Sequence, residues 1–184
     1  MLTRETVPEK TDAPSSELDF ADLFRTYYRR VYNYLSYRVG AKDDVEDLIS
    51  VVFEKAYVHR DQYDSTKGAF STWLFRIARN TLSNYYRTRQ RRSAWEADSE
   101  ITDDFAATEA PPETQIIRQE DIVKLLHGVA QLNERDQEII SLKFAGRLSN
   151  DEIGGIMDMT ANNVGVVLFR ALRRLQKQLQ ENAS

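Results

Sequence analysis

FSTWLFRIARNTLSNYYRTRQRR, residues Phe70 to Arg92, is the segment from which a helical fold can be read most directly. At helical spacing its apolar residues share one side, and they are Trp73, Leu74, Ile77, Ala78, Leu82 and Tyr85. The opposite side repeats polar residues at intervals of four, three and four, and they are Arg76, Asn80, Ser83 and Arg87. The pattern predicts one helix with a buried side and a basic, amide-bearing side.

The loop before this helix, DQYDSTKGA, adds Tyr63 and Lys67 to the same neighbourhood. Aromatic, amide and guanidinium groups beside a loop form a surface that can stack unpaired bases and hold their backbone. The same residues also fit an amphipathic core helix whose charged face is merely solvated. This segment alone does not separate the two interpretations.

Two further helices are predicted upstream. The first begins near Glu17, carries a broad aromatic stripe and ends at Gly40. The second, AKDDVEDLISVVFEKAYVH, points apolar residues inward, and they are Val45, Leu48, Ile49, Val52, Phe53 and Ala56. Its other face lines up Asp43, Asp47, Ser50 and Glu54, with Glu46 beside them.

Like charges in this arrangement repel one another, so the acidic face indicates a basic partner. A solvated face that favours the helix N-terminus is the alternative, since Asp43 and Asp44 fit helix initiation. General acid–base catalysis is discounted because no nucleophile, metal ligand or polar pocket accompanies the carboxylates.

The C-terminal part predicts a helix with Ile122, Leu125, Leu126, Val129 and Leu132, and another that starts at Asn133 or Glu134 and stops at Gly146. Ser149 and Glu152 then form a capping box, and a turn at residues 157–159 leads to a helix capped by Thr160. Its predicted buried line is Val164, Leu168, Leu172, Leu175 and Leu179; its exposed line is Asn163, Val167, Arg170 and Arg174.

A short helix, a tight turn and a longer helix with Asn and Arg outside predict a helix-turn-helix whose second helix enters a major groove. Asn suits adenine edges, and Arg suits guanine edges or phosphates. An ordinary helical hairpin in a bundle is the alternative.

Composition and charge limit the possible functions. The 184 residues include no cysteine, His59 and His127 are far apart, and no apolar run is long enough for a membrane span or signal core. We therefore expect a cytoplasmic protein with no metal, no cofactor and no membrane insertion. The net charge of −4 includes +6 over residues 21–95 and −8 over residues 96–123, while residues 1–20 carry −3 and residues 124–184 carry +1.

This charge pattern predicts two all-α domains joined by an acidic flexible linker. The expected divisions are a disordered tail at 1–16, a first domain at 17–95, a linker at 96–115 broken by Pro111 and Pro112, and a second domain at 116–181.

Three motifs in this order resemble a bacterial RNA polymerase sigma factor of the extracytoplasmic-function (ECF) group, which keeps conserved regions 2 and 4. They are DDVEDLISVVFEKAY, FSTWLFRIARN, and LNERDQEIISLKFAGRLSNDEIGGIMDMT followed by the basic helix. The resemblance covers residues 17–92 and 116–180.

The resemblance implies a role for each surface. The acidic face would dock on the coiled coil of the largest polymerase subunit through Asp43, Glu46, Asp47, Ser50 and Glu54. The −10 non-template strand would be captured by Tyr63, Lys67, Trp73, Arg76, Asn80 and Arg87. The −35 duplex would be read by Thr160, Asn162, Asn163, Arg170, Arg173 and Arg174. The second domain would rest on the flap of the second-largest subunit, and an anti-sigma factor is a further implied partner.

The chain departs from the family pattern at three places. Gly165, Val166 and Val167 stand where polar or basic residues are usual, which shifts expected base reading to neighbouring Asn and Arg residues. Asp158 occupies a turn position that commonly has Gly, and Asp tolerates left-handed backbone geometry. Ser50 replaces a frequent Gln in the docking face.

The expected function is a dissociable initiation factor, not an enzyme. It would bind core polymerase, read double-stranded −35 and single-stranded −10 promoter DNA, and trap unstacked bases. One rival is a stand-alone helix-turn-helix regulator whose first domain senses a ligand or dimerises. The other is an enzyme acting on nucleic acid, for which the sequence offers no metal cluster, phosphate-binding glycine loop or nucleophile–base pair.

Overall fold

The computed structural model describes residues 20–39, 41–93 and 122–181. Its regular elements are all helical within these ranges, which confirms the predicted all-α class. They are α1 (Phe20–Val39), α2 (Lys42–Val58), a 3-10 turn (Arg60–Gln62), α3 (Phe70–Ser93), α4 (described over 122–130), α5 (Glu134–Ile140) continued by a π-helical turn (Ser141–Ala145), α6 (Asn150–Met157) and α7 (Ala161–Glu181). The predicted tail at 1–16, the linker at 96–115 and the helix stop at Gly40 lie outside the described residues.

Helices α1 to α3 pack around one apolar centre, as the spacing of their apolar residues predicts. All six predicted inward residues of α2 are buried. Only the later part of the aromatic stripe of α1 is fully buried, at Val31, Tyr34 and Leu35, whereas Phe24 is exposed. Fully burying one such apolar side chain stabilises the fold by about 1.5–3 kcal/mol.

Helices α5 to α7 build the predicted helix-turn-helix. Asn133 caps α5 by accepting a hydrogen bond from the backbone N–H of Asp136. The capping box of Ser149 and Glu152 is present at the start of α6. Asp158 ends α6 with φ 55° and ψ 49°, so its left-handed backbone is the expected one. These local signals are strong because each satisfies a backbone group that the helix end leaves unpaired.

Three details of the second part differ from the sequence prediction. Leu172 is 37% exposed and Ala171 is buried instead, because positions 164, 168, 171 and 175 follow the 3.6-residue period more closely. Ile122 and Leu125 are exposed, so α4 buries a narrower stripe. The helix before the helix-turn-helix ends through a π-helical turn, and its left-handed residue is Arg147 rather than Gly146.

The two sets of helices also pack against each other. α1 contacts the π-helical turn, and α3 contacts α6. Buried residues of both sets belong to one continuous apolar cluster. Phe75 of α3 lies at this junction, because its ring is only 2.9 Å from where a Cβ atom on Gly146 would lie. The sequence predicted two helical units but gave no sign of this contact.

Candidate nucleic-acid interface

The predicted docking face on α2 is open to solvent. Asp43, Glu46, Asp47, Ser50 and Glu54 are all exposed. Glu46 pairs with Lys42 one turn away, at 3.8 Å, and the Ser50 hydroxyl donates to the Glu46 carbonyl oxygen. The other three carboxylates form no ion pair or hydrogen bond within the described residues. The structure therefore presents a cluster of uncompensated negative charge.

An aromatic cluster lies where the loop meets the start of α3. Tyr63 is edge-on to Phe70, with 5.2 Å between centroids, and Trp73 lies 5.7 Å from Tyr63. The Tyr63 hydroxyl donates to the carbonyl oxygen of Gly68 at 3.3 Å, which ties the two ends of the loop. Tyr63 and Trp73 are half-buried, so each keeps part of its ring available for stacking.

The loop itself is held by a small polar turn. Asp64 accepts hydrogen bonds from the backbone N–H and the hydroxyl of Thr66 and pairs with Lys67 at 3.2 Å. These donors, Thr66 first, lower the pKa of the Asp64 carboxyl. Lys67 nevertheless keeps its side chain 82% exposed, so its ammonium group remains accessible to an anion.

The predicted polar face of α3 divides into two parts. Asn80 and Arg87 are exposed and make no hydrogen bond or ion pair with any described residue. Arg76 instead donates two hydrogen bonds to the carbonyl oxygen of Gly155 in α6 and lies 3.7 Å from the Asp158 carboxylate. Of the six predicted −10 residues, Arg76 alone is held by the helix-turn-helix.

A buried polar cluster between the two helix sets was missed by sequence reasoning. The Tyr34 hydroxyl donates to Glu138 at 2.7 Å, and the same carboxylate lies 3.8 Å from both Arg38 and Arg79. The side chains of Arg38 and Glu138 are only 4% and 8% exposed. Burial, and then the adjacent Glu138 carboxylate, raises the pKa of the Tyr34 hydroxyl well above its ordinary value.

The sequence did contain one signal for this cluster. Glu138 lies in the same helical phase as Leu142 and Ala145, which are both buried. A carboxylate on an apolar line indicates a buried pair. Its partners lie 59 to 104 residues away in the chain, so the sequence could not identify them.

A second polar network joins α2 to α3. The Tyr85 hydroxyl donates to Asp44 at 2.6 Å, and Arg89 donates to the Tyr85 oxygen at 2.8 Å. Burial, together with the Asp44 hydrogen bond, raises the pKa of Tyr85 to about 12. The network lies between the acidic face of α2 and the basic end of α3.

The start of α7 presents the residues expected to read duplex DNA. The Thr160 hydroxyl accepts a hydrogen bond from the backbone N–H of Asn163 at 3.2 Å, so it caps the helix as predicted. The side chains of Asn162 and Asn163 are exposed, as is Val166, while Gly165 and Val167 are partly covered. The exposed N-terminal turn of α7 therefore offers two amides and an apolar side chain.

The three arginines farther along α7 are not equivalent. Arg170 and Arg173 are exposed, and the Arg173 guanidinium lies 6.0 Å from the Phe169 ring centroid. Arg174 donates to Asp136 with Nε at 2.7 Å and also through Nη2, and Asp136 is 2% exposed. Arg174 thus neutralises a buried carboxylate of α5, a role that the sequence pattern did not indicate.

Two negative findings apply to the described residues. These contain no cluster of three or more His, Asp or Glu side chains placed to hold a metal ion. None of the described helices combines the length and hydrophobicity needed to cross a membrane.

Comparison with known proteins identifies the family. The Sigma-70 region 2 model matches residues 23–92, and the Sigma-70, region 4 model matches residues 122–175. The ECF RNA polymerase sigma factor SigM of Bacillus subtilis is 30% identical over 156 residues, covering 84% of this chain and 91% of SigM. The chain belongs to the ECF RNA polymerase sigma factors. This confirms the resemblance drawn from the three motifs.

A further relative and two solved structures are also similar to the chain. BldN of Streptomyces coelicolor is 30% identical over 172 residues, which are 93% of this chain but only 64% of BldN. Among solved structures, RpoE bound to the anti-sigma factor NepR, from Bartonella quintana, matches with a TM-score of 0.70 and 21% identity, covering 88% of this chain and 97% of that one. CnrH in complex with the cytosolic domain of CnrY matches with a TM-score of 0.64, 18% identity and 88% coverage of each chain. These two likenesses show the shared fold.

Sigma factors are transcription initiation factors, and this chain is one of them. The alternative of a stand-alone helix-turn-helix regulator is not favoured, because region 2 is matched as fully as region 4.

Proposed function

We propose that this ECF sigma factor docks on core RNA polymerase through the acidic face of α2. It then directs the enzyme to promoters by two DNA-binding surfaces. The start of α7, with Asn162 and Asn163, reads the −35 duplex, supported by Arg170 and Arg173. The loop and α3, with Tyr63, Lys67, Trp73, Asn80 and Arg87, hold the melted −10 non-template strand.

The observation that carries this proposal is the segregation of chemistry among three helices. α2 exposes carboxylates with no partner among the described residues, which favour a basic protein surface over DNA. α3 joins an aromatic cluster to exposed amide and guanidinium groups, which suits single-stranded DNA. α7 follows a helix-turn-helix turn, which suits duplex DNA.

The mechanism requires no chemical step from the chain itself. Flipping a base out of the stack costs a few kcal/mol, and stacking on an aromatic ring returns about 1–3 kcal/mol per base. Trp73 and Tyr63 would supply that stacking, while Lys67 and Arg87 would neutralise phosphates. RNA synthesis would remain with the polymerase, and an anti-sigma factor would regulate access to it.

The test separates docking from promoter opening. Asp47→Arg reverses a charge on the docking face, and we expect at least a tenfold loss of affinity for core polymerase in a pull-down titration. Asp22→Arg, an equal charge change on exposed α1, is the matched control and should change that affinity less than twofold.

The complementary variant is Asn80→Ala. We expect it to keep polymerase affinity but to reduce open-complex formation, measured by permanganate footprinting on a promoter found by run-off transcription from a genomic library. Equal loss of both activities in both variants would contradict the division of labour between α2 and α3.

A further inference from the structure

One apolar side chain lies inside the surface that is proposed to read the −35 duplex. Val166 is 41% exposed, although the helix around it presents polar groups. Asn162 lies four residues before it and Arg170 four residues after it, and both are exposed. Residues four apart in a helix share a face. Val166 therefore stands between an amide and a guanidinium group on the face of α7 that is proposed to enter the major groove.

The folded core does not account for this valine. The buried residues of α7 are Val164, Leu168, Ala171 and Leu175. Val167 packs against the apolar cluster of the described residues, whereas Val166 lies outside it. Valine at an exposed helix position also costs more than alanine or arginine, because its branched side chain loses rotamer freedom. The exposed methyl groups of Val166 thus contribute little to the fold and are available to a partner.

The residue before Val166 is a glycine that the fold does not require. A Cβ atom added at Gly165 would lie 3.4 Å from Nδ2 of Asn150, which is van der Waals contact rather than overlap. Without a side chain at this position, the surface of α7 is low beside Val166, and the helix backbone can come near the floor of a groove. The short side chain of Val166 can then reach the edges of the bases.

Valine offers neither a donor nor an acceptor, and this limits the base that it can meet. The edges of guanine, adenine and cytosine in the major groove carry hydrogen-bonding groups, which an apolar contact would leave unpaired. Thymine presents a C5-methyl group on the same surface. Arg170 and Arg173, farther along α7, are exposed and suit the phosphates beside the groove. A thymine methyl group is therefore the partner that the chemistry of this face favours.

We propose that Val166 contacts the C5-methyl group of one thymine in the −35 element and makes thymine the preferred base at that position. The contact buries apolar surface on both molecules and needs no hydrogen bond. Loss of one buried methyl group corresponds to about a fourfold change in dissociation constant. The inference rests on the proposed function, since it assigns a base preference to the −35 surface of α7.

Deoxyuridine tests this contact, because it lacks the methyl group of thymine and keeps the base pair. The duplex is taken from a promoter found by run-off transcription, and each −35 thymine on either strand is replaced in turn. Titration of the fluorescent duplex with polymerase that carries the sigma factor measures the affinity. We expect one replacement to raise the dissociation constant about fourfold and the others to change it less than about 1.5-fold. A −35 element in which every thymine can be replaced without loss, or which contains no thymine, would overturn the proposal.

Val166→Ala then shows whether this residue makes the contact. The variant keeps a good helix former and removes two methyl groups from an exposed position. We expect its affinities for the thymine duplex and for the critical deoxyuridine duplex to differ by less than about 1.5-fold, because the two changes remove the same contact. Val123→Ala deletes the same groups from an exposed position on α4 and should keep the preference of about fourfold.

Two results would exclude Val166 as the reader. If Val166→Ala keeps the preference for thymine, the methyl group is read by another side chain or through the shape of the duplex. If the variant loses affinity for core polymerase and keeps that preference, Val166 contacts the polymerase instead. A wild-type chain that gives no promoter-specific transcript would refute the proposed function, whereas a normal transcript with no effect of deoxyuridine refutes the methyl contact alone.

Discussion

The charged faces of α2 and α3 look alike in the sequence but differ in the structure. Each is a line of like-charged and polar residues on an amphipathic helix. The carboxylates of α2 at Asp43, Asp47 and Glu54 make no hydrogen bond or ion pair with any described residue, whereas Arg76 and Arg79 of α3 donate to carbonyl groups of α6. A charge pattern thus indicates the chemistry of a partner, but not whether the chain already provides one. In this sigma factor the face proposed for docking has no partner among the described residues, and part of the face proposed for DNA is held by α6.

The largest expected effect comes from removing the charge of Glu138, which is buried between the two sets of helices. Glu138→Gln leaves Arg38, which is buried, without its ionic partner. Breaking a buried pair costs about 3–5 kcal/mol, so we expect the free energy of unfolding in urea to fall by about 3 kcal/mol. Glu134→Gln, exposed on the same helix, should change it by less than about 0.5 kcal/mol. Equal unfolding free energies for the two variants would mean that the buried Glu138 charge stabilises the fold no more than the exposed Glu134 charge does.

The contrast extends to neighbouring arginines of α7. Arg174→Ala leaves the buried Asp136 carboxylate with Asn133 as its remaining side-chain partner. We expect thermal unfolding to show a loss of about 2 kcal/mol. Arg173→Ala should leave stability unchanged and weaken duplex binding, since phosphate contacts carry most of the affinity. A reversed pattern would assign Arg174 to DNA and Arg173 to the fold.

A smaller loss of stability is expected when the hydrogen bond from Ser71 to Glu152, which joins the two helix sets, is removed. Partial burial favours the protonated carboxyl, but hydrogen bonds from Ser71 and Ser149 outweigh it and lower the Glu152 pKa from its ordinary 4.5. This stabilisation is complete above pH 4.5 and is lost as the pH falls through the lower folded-state pKa.

We therefore expect Ser71→Ala to destabilise the protein by about 1 kcal/mol at pH 7, after allowance for solvent screening, and by less in acid. Urea unfolding at several pH values measures the difference. Ser83→Ala, exposed on the same helix, is the control. A loss that does not depend on pH would show that the hydroxyl does not act through Glu152.

The smallest effect concerns the link between the two charged helices. Tyr85→Phe removes the hydrogen bonds that join Asp44 and Arg89 through one hydroxyl. Because this site is largely exposed, we expect a loss of only about 0.5 kcal/mol. A pKa raised to about 12 means that this contribution is complete below pH 10 and is lost as the pH rises towards 12. Tyrosine absorbance titration should show one fewer late-titrating hydroxyl in the variant.

Most of the fold followed from local patterns. The inward residues of α2 and the caps at Asn133, Ser149 and Thr160 were all readable from spacing, and so was the left-handed turn at Asp158. Local patterns did not predict burial at residues that are covered by another helix. Phe75 and Thr81, for example, are buried although neither lies on the predicted apolar line of α3.

The candidate site was predictable to a smaller extent. Sequence identified the acidic face, the aromatic loop and the exposed asparagines, because residue type and helical phase determine which groups share a face. It did not show that Arg174 and Arg76 are bound by groups of other helices, whereas Arg170 and Arg87 remain exposed. The phase of a side chain indicates its direction, whereas its partner depends on which element packs there.

The sequence by itself determined the helices, their caps, the helix-turn-helix and the chemistry of each face, since these depend on contacts within about four residues along the chain. Only the tertiary structure decided that Tyr34, Arg38 and Arg79 converge on Glu138, and that two arginines of α3 bind the end of α6. Those contacts join residues between 59 and 104 positions apart. Their energies come from burial and from helix ends that exist only after the two sets of helices have packed together.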